Sequence, residues 1–335
     1  MTDDSTRDSG FRAAVRSAVV CRPTGLATIH VDGDDAEAFL QGQLSSDVAA
    51  LAPGKSQWSS YNSAKGRMLA SLRLWRERDG GYGLLLSADL ASAMAKRLSM
   101  FVLRAKVRLT DRSSTHAPIG VGGQAAAAAI KATLAILPGA DEMIDLPDRH
   151  ATLVGLGDGR FVLVADATGA ASMAADLAEE AATADEAIWR WLSITAGVPL
   201  VTAATSDQFV PQMLNWDALQ GISFQKGCYP GQEIVARMRY LGRLKERLYR
   251  FHVAARSEPQ PGARIFSEAF GPTPCGTVVN AAPAPDDGYA LLAVVQIGAI
   301  DAGSLVLDTK DGPPLARVEL PYTVPEAAPT RSRLG

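Results

Sequence analysis

The stretch Ser223–Arg237, "SFQKGCYPGQEIVAR", decides how this chain is read. Pro230-Gly231 fits the two central positions of a type II turn, where glycine takes the positive φ. Cys228 falls just ahead of that reversal, and Gly227 allows close backbone approach. With the segment before the turn extended, Lys226 and Cys228 share a face, and a neighbouring ammonium favours the thiolate. Past the turn, Gln232 and Glu233 bring an amide and a carboxylate to the same spot. The pattern by itself leaves two readings open. Cys228 is either a small packed hydrophobe beside a turn or an activated thiol in a dense polar cluster.

C-terminal to this stretch, Arg237, Arg239, Arg243, Lys245, Arg247 and Arg250 stand against Glu246. They make either a solvated strand–turn face or a docking patch for a polyanion. From about residue 245, short strands such as "RLYRFHV", "CGTVVN" and "YALLAVVQI" alternate with Pro, Gly and Asp turns, with no helix among them. That texture predicts a small β-barrel over 245–322, followed by a disordered tail over 323–335.

N-terminal to it, strands and helices alternate in an α+β pattern. "LATIHVDG" reads as a strand and "DDAEAFLQGQLSSDV" as a helix capped by Asp34. Strands follow from "PGKSQWSSYNSAKGRMLASLRLW", and "DLASAMAKRLSMF" has helical spacing. "VLRAKVRLTDR" alternates as one strand, its cations either facing solvent or lining an anion site. "QAAAAAIKATLAIL" and "SMAADLAEEAATADEAIWRWLSITAGV" read as alanine-rich helices around the strand "GRFVLVAD". "GVGGQAA" lacks the spacing of a phosphate loop, so two intertwined α+β subdomains over 23–244 are expected rather than a doubly wound sheet. Residues 1–22 read as a flexible lead-in.

Composition narrows the function classes. The chain has 335 residues, 47% hydrophobic and 21% charged, with a formal net charge of −3, which disfavours a general nucleic-acid binder. It contains no apolar run long enough for a bilayer. The N-terminus reads as neither a secretory signal nor a transit peptide, so a cytoplasmic protein is expected. Cys21, Cys228 and Cys275 are few and far apart, and the four histidines form no ligand-spaced pair, so neither a disulfide framework nor a resident metal site is expected.

"KGCYPGQE" resembles the signature K-G-C-Y-x-G-Q-E of the YgfZ family of folate-binding, iron–sulfur accessory proteins. It stands complete as Lys226, Gly227, Cys228, Tyr229, Gly231, Gln232 and Glu233, with Pro230 at the free position. "FVPQMLNWDALQGISF", "ITAGVPLV", "FLQGQLSSDV" and "YNSAKGRMLASLRLW" also resemble family segments, so the likeness runs from about Thr24 to Leu320. It implies a fold like the T-protein of the glycine cleavage system: three domains around a central folate channel, the last a β-barrel. It further implies a monomer that binds tetrahydrofolate or a related folate and serves the assembly or repair of 4Fe–4S proteins, with an indirect effect on tRNA modification. A transient iron–sulfur cluster would be cargo, and iron–sulfur client or assembly proteins the partners. Under that reading Cys228 acts and Lys226 tunes it, while Gln232 and Glu233 shape the local hydrogen bonding. Tyr229, Gln212, Asn215, Lys65 and Arg67 are the further candidate folate contacts. The alternatives are a folate-dependent one-carbon transferase and a direct tRNA-binding protein. Against the transferase, Thr195 of "WLSITAG" stands where those enzymes carry a glutamate.

Overall fold

A computed structural model of the chain describes residues 2–78, 80–240 and 244–325, with side chains from residue 7 onward. In chain order the elements are α1 (Thr2–Arg16), β1 (Val19–Cys21), β2 (Leu26–Asp32), α2 (Ala36–Gln43), β3 (Ser56–Asn62), β4 (Met68–Arg76), β5 (Tyr82–Ser87), α3 (Ala88–Ser99) and β6 (Arg108–Asp111). Then come β7 (His116–Gly122), α4 (Ala126–Leu134), β8 (Met143–Leu146), β9 (Ala151–Gly157), β10 (Arg160–Asp166), α5 (Ala167–Leu177), β11 (Ala182–Thr183) and α6 (Glu186–Thr195). The last are α7 (Gln232–Tyr240), β12 (Glu246–Val253), β13 (Arg264–Ser267), β14 (Gly276–Pro283), β15 (Tyr289–Gln296), α8 (Ile297–Ala302), β16 (Leu305–Leu307) and β17 (Leu315–Val318).

Three sheets organise these elements. The first runs β3-β4-β5-β2-β6, the second β11-β1-β7-β10-β9-β8, and the third β16-β13-β14-β15-β12-β17. Their pairings are antiparallel except β1 with β11. The chain enters the second sheet at β1, builds the first, then returns to complete the second, so the two are interleaved in sequence. β4 is buried along nearly all its length, because the sheet is covered on both sides; one face is apolar and the other carries Ser71 and Arg73 among apolar residues. In the third sheet a bridge between Val306 and Pro314 brings the two edges together, so the sheet nearly closes into a barrel.

Several local expectations are corrected. The lead-in expected over 1–22 is not loose where it is described: it forms α1 and β1, with Phe11 and Ala14 buried and Phe11 edge-on to Trp191 at 5.3 Å. The helix start near residue 34 falls one residue later. Asp35 is the N-cap, its carboxylate accepts from Lys106 N, and Asp34 pairs with Lys106. "VLRAKVRLTDR" is a strand only over β6. Leu103 has φ 47° and is 88% exposed, while Lys106 and Arg108 pair with Asp34 and Asp32 rather than lining an anion site. The alanine-rich stretch 172–198 is two helices, because the Asp185 carboxylate caps a fresh N-terminus by accepting from Ala187 N. Among the described residues the barrel carries one short α-helix, α8, and a 3₁₀ turn at Glu268–Phe270. Of the expected tail, residues 326–335 lie outside the described residues, and Pro325 O accepts from Arg247 Nη2 at 3.1 Å.

Candidate functional site

The segment Ser223–Arg237 is a loop followed by α7, and buried groups hold it in place. Ser223 N donates to Ser45 O at 2.8 Å, and Ser223 Oγ accepts from Lys226 N at 3.2 Å. Gln232 N donates to Tyr229 O at 3.2 Å and Gly231 has φ +76°, the geometry of the expected type II turn. A Cβ on Gly231 would lie 2.5 Å from Gly66 Cα and from Ser63 O, so the turn packs directly on the 63–67 hairpin. Gln232 Nε2 returns to Lys226 O at 3.3 Å, closing the loop on itself.

Lys226 is turned into the protein. It is buried, and its ammonium donates to Gln41 O (2.5 Å), Leu44 O (2.7 Å) and Ser46 O (2.9 Å) at the C-terminal end of α2. It also lies 5.2 Å from the Tyr229 ring centroid. Three donors meet three carbonyls, which matches the helix-end arrangement that favours a cation. Burial still pushes the Lys226 pKa down to about 8, opposed by the Asp47 carboxylate. Cys228 by contrast is exposed, while Cys21 and Cys275 are buried and burial raises both of their thiol pKa values.

The other predicted residues divide by depth. Glu233, Lys65 and Arg67 are exposed, as Cys228 is, with Gln232 half-buried in the first turn of α7. Tyr229 is buried and its hydroxyl pKa is pushed up to about 12 by that burial. Gln212 and Asn215 are buried structural links: Gln212 Nε2 donates to Val235 O at 2.7 Å, and Asn215 Nδ2 to Leu248 O at 3.0 Å. Of the basic run, Arg247 is buried against Asp217 at 2.7 Å, Arg250 donates to Thr195 O, and Arg243 lies outside the described residues.

A separate cavity of about 690 Å³ lies where the three sheets meet, and none of the predicted site residues lines it. Its walls include Trp58 and Trp189, and two buried guanidiniums, Arg73 and Arg160. Arg73 Nη2 donates to Ser56 Oγ (2.7 Å), Asp141 Oδ1 (2.7 Å) and Gly155 O (3.0 Å), yet its Nε and Nη1 find no acceptor among the described residues. Arg160 Nη1 reaches Ser193 Oγ at 3.3 Å, and its Nε and Nη2 are likewise unpartnered. Burial, and to a lesser extent the proximity of Arg73, push the Arg160 pKa down to about 10 against the pull of Asp158. These residues were missed in the sequence. The available signal was a lone cation inside the apolar strand "MLASLRLW" and another at the head of "RFVLVAD". The carboxylates on the cavity wall are all engaged. Asp89 accepts from Ser87 Oγ and Ala203 N, Asp185 caps α6, Glu186 holds Thr24 Oγ1 and Gly25 N, and Glu258 pairs with Arg190. Among the described residues, no group of three His, Cys, Asp or Glu is placed to hold a metal ion, and no helix is long and apolar enough to cross a membrane.

No protein-family model matches the chain. It is 35% identical, over 90% of its length and 91% of the relative's, to the tRNA-modifying protein YgfZ of Enterobacter sp. (strain 638). The protein of the same name from Klebsiella pneumoniae (strain 342) is 34% identical over the same shares. Among solved structures, glycine cleavage system aminomethyltransferase T from Bartonella henselae matches 93% of this chain and 87% of its own, with a TM-score of 0.72 and 17% identity. The fold is therefore that of the T-protein, with the barrel-like sheet as its last part. Identity above a third along nine-tenths of both chains carries more than a fold: this chain belongs to the YgfZ family.

Proposed function

We propose that this protein binds a folate in the central cavity and serves the assembly or repair of iron–sulfur proteins through Cys228, in the cytoplasm. Its influence on tRNA modification would run through those client enzymes. The observation that carries the reading is the placement of Cys228: the one exposed cysteine, on a loop that a buried lysine and a backbone-packed turn hold rigid. A thiol so presented is available for sulfur or cluster hand-over, whereas the two buried cysteines are not. The cavity fits a folate by its own chemistry. Trp58 and Trp189 offer flat apolar faces to a fused heterocycle, and the unpartnered N–H groups of Arg73 and Arg160 call for an anionic or carbonyl-bearing ligand. One-carbon transfer is the weaker reading, because every carboxylate on the wall is already committed and none is free to move a proton to or from a reacting nitrogen.

A strain lacking the gene, complemented with Cys228→Ser, tests the proposal. We expect no recovery of 4Fe–4S enzyme activity or of thiomethylated tRNA bases under oxidative stress, with tetrahydrofolate affinity within about two-fold of wild type, since a serine keeps the shape of an exposed side chain. Full complementation by the serine variant would reduce Cys228 to packing and overturn the proposal.

A further inference from the structure

Exposed cations stand on the elements that pack against the cysteine loop. On one side α7 ends in the exposed Arg237, Arg239 and Tyr240, the last 64% exposed. The Arg239 guanidinium lies 4.3 Å from the Phe224 ring centroid and 6.0 Å from that of Tyr240. Phe224 is four residues ahead of Cys228 on the same pinned loop. On the other side, the 63–67 hairpin that packs on Gly231 carries the exposed Lys65 and Arg67. Among the described residues no carboxylate forms an ion pair with any of these four cations. The nearby acids are Glu233, exposed in the first turn of α7, and Asp207, which accepts from Ser63 Oγ and whose carbonyl takes Arg67.

We propose that this basic and aromatic collar docks an acidic face of a partner protein and holds it over the Cys228 thiol. The inference rests on the functional reading above and names the kind of partner it requires. Charge complementarity supplies the attraction, and a Tyr–Arg–Phe cluster is the composition that dominates protein interfaces. A protein fits better than a nucleic acid. Four cations are few for a polyanion at physiological salt, Glu233 stands among them, and the chain as a whole is acidic, with net charge −3.

The test uses the purified full-length protein, in which Cys228 is the exposed thiol. The probes are an Asp/Glu-rich peptide and a Lys/Arg-rich peptide, each with one cysteine as its 2-pyridyl disulfide. The Cys228 thiolate attacks the peptide sulfur, the mixed disulfide forms and pyridine-2-thione leaves, so the rate is read by absorbance. We expect the acidic peptide to react about ten-fold faster than the basic one at low salt, with the gap closing as salt is raised to ~1 M. The double variant Arg237→Glu/Arg239→Glu should invert the preference while its circular dichroism stays unchanged. Equal rates for the two peptides would overturn the docking face. So would protection of Cys228 by bulk tRNA at ~0.15 M salt that exceeds protection by an unreactive acidic peptide. Because selectivity is read on the isolated protein, its absence leaves the Cys228→Ser complementation result standing, and the two ideas fail separately.

Discussion

Lys226 is a buried cation held by backbone carbonyls. Its side chain carries the charge that a pairing with Cys228 would use, but three carbonyls from residues 41–46 claim all three protons. The motif lysine is thus a pin that fastens the cysteine loop to the end of α2. Its pKa, about 8 in the folded chain against an ordinary 10.5, gives a signed prediction. Between these values the unfolded chain holds more protons than the folded one, so the lysine's contribution to stability rises with pH across that window. Lys226→Met should be less stable than wild type at pH 7, because three buried carbonyls lose their donor. The deficit should widen by up to about 3 kcal/mol from pH 8 to pH 10.5. Urea denaturation across that range measures it, and a constant difference would show that folding does not lower the Lys226 pKa. None of this was legible locally: the periodicity of an extended segment places residues 226 and 228 on one face, and the carbonyls that hold Lys226 come from a distant part of the chain, residues 41–46.

At the scale of elements, the turn between the cysteine loop and α7 is set by local chemistry and confirmed by packing. Pro230-Gly231 specifies a type II turn from sequence, and the structure has it, with Gly231 at φ +76° against the hairpin glycine Gly66, itself at φ +70°. Gly231→Ala would meet both the left-handed penalty and backbone atoms at 2.5 Å. We expect a loss of about 2 kcal/mol or more in chemical denaturation; a loss below about 0.5 kcal/mol would mean that the hairpin yields easily. Other element boundaries were not readable. The alanine-rich run 172–198 keeps one helical texture, yet Asp185 caps a second helix and β11 pairs in parallel with β1 between the two. "VLRAKVRLTDR" alternates well but turns away at Leu103, because its cations find Asp32 and Asp34 near β2. In both places a distant partner overrides local periodicity.

For the whole molecule, the cavity brings β4 of the first sheet and β10 of the second together, so Arg73 and Arg160 become neighbours only through the tertiary fold. Two buried guanidiniums with unpartnered N–H groups cost stability that a bound anion would restore. Arg160→Met should therefore raise Tm by a few degrees while weakening tetrahydrofolate binding about ten-fold or more, seen as a smaller ligand-induced Tm shift in a thermal melt. An unchanged shift would remove Arg160 from the folate site. The sequence by itself determined the family, the turn and the barrel texture, because each is written in contiguous residues whose backbone and side-chain preferences act locally. The tertiary structure alone decided what Lys226 binds, that Tyr229, Gln212 and Asn215 are buried supports rather than cavity residues, and that Trp58, Trp189, Arg73 and Arg160 face one space. Those outcomes depend on groups far apart in the chain, whose encounter is governed by how the three sheets bury their apolar faces against one another.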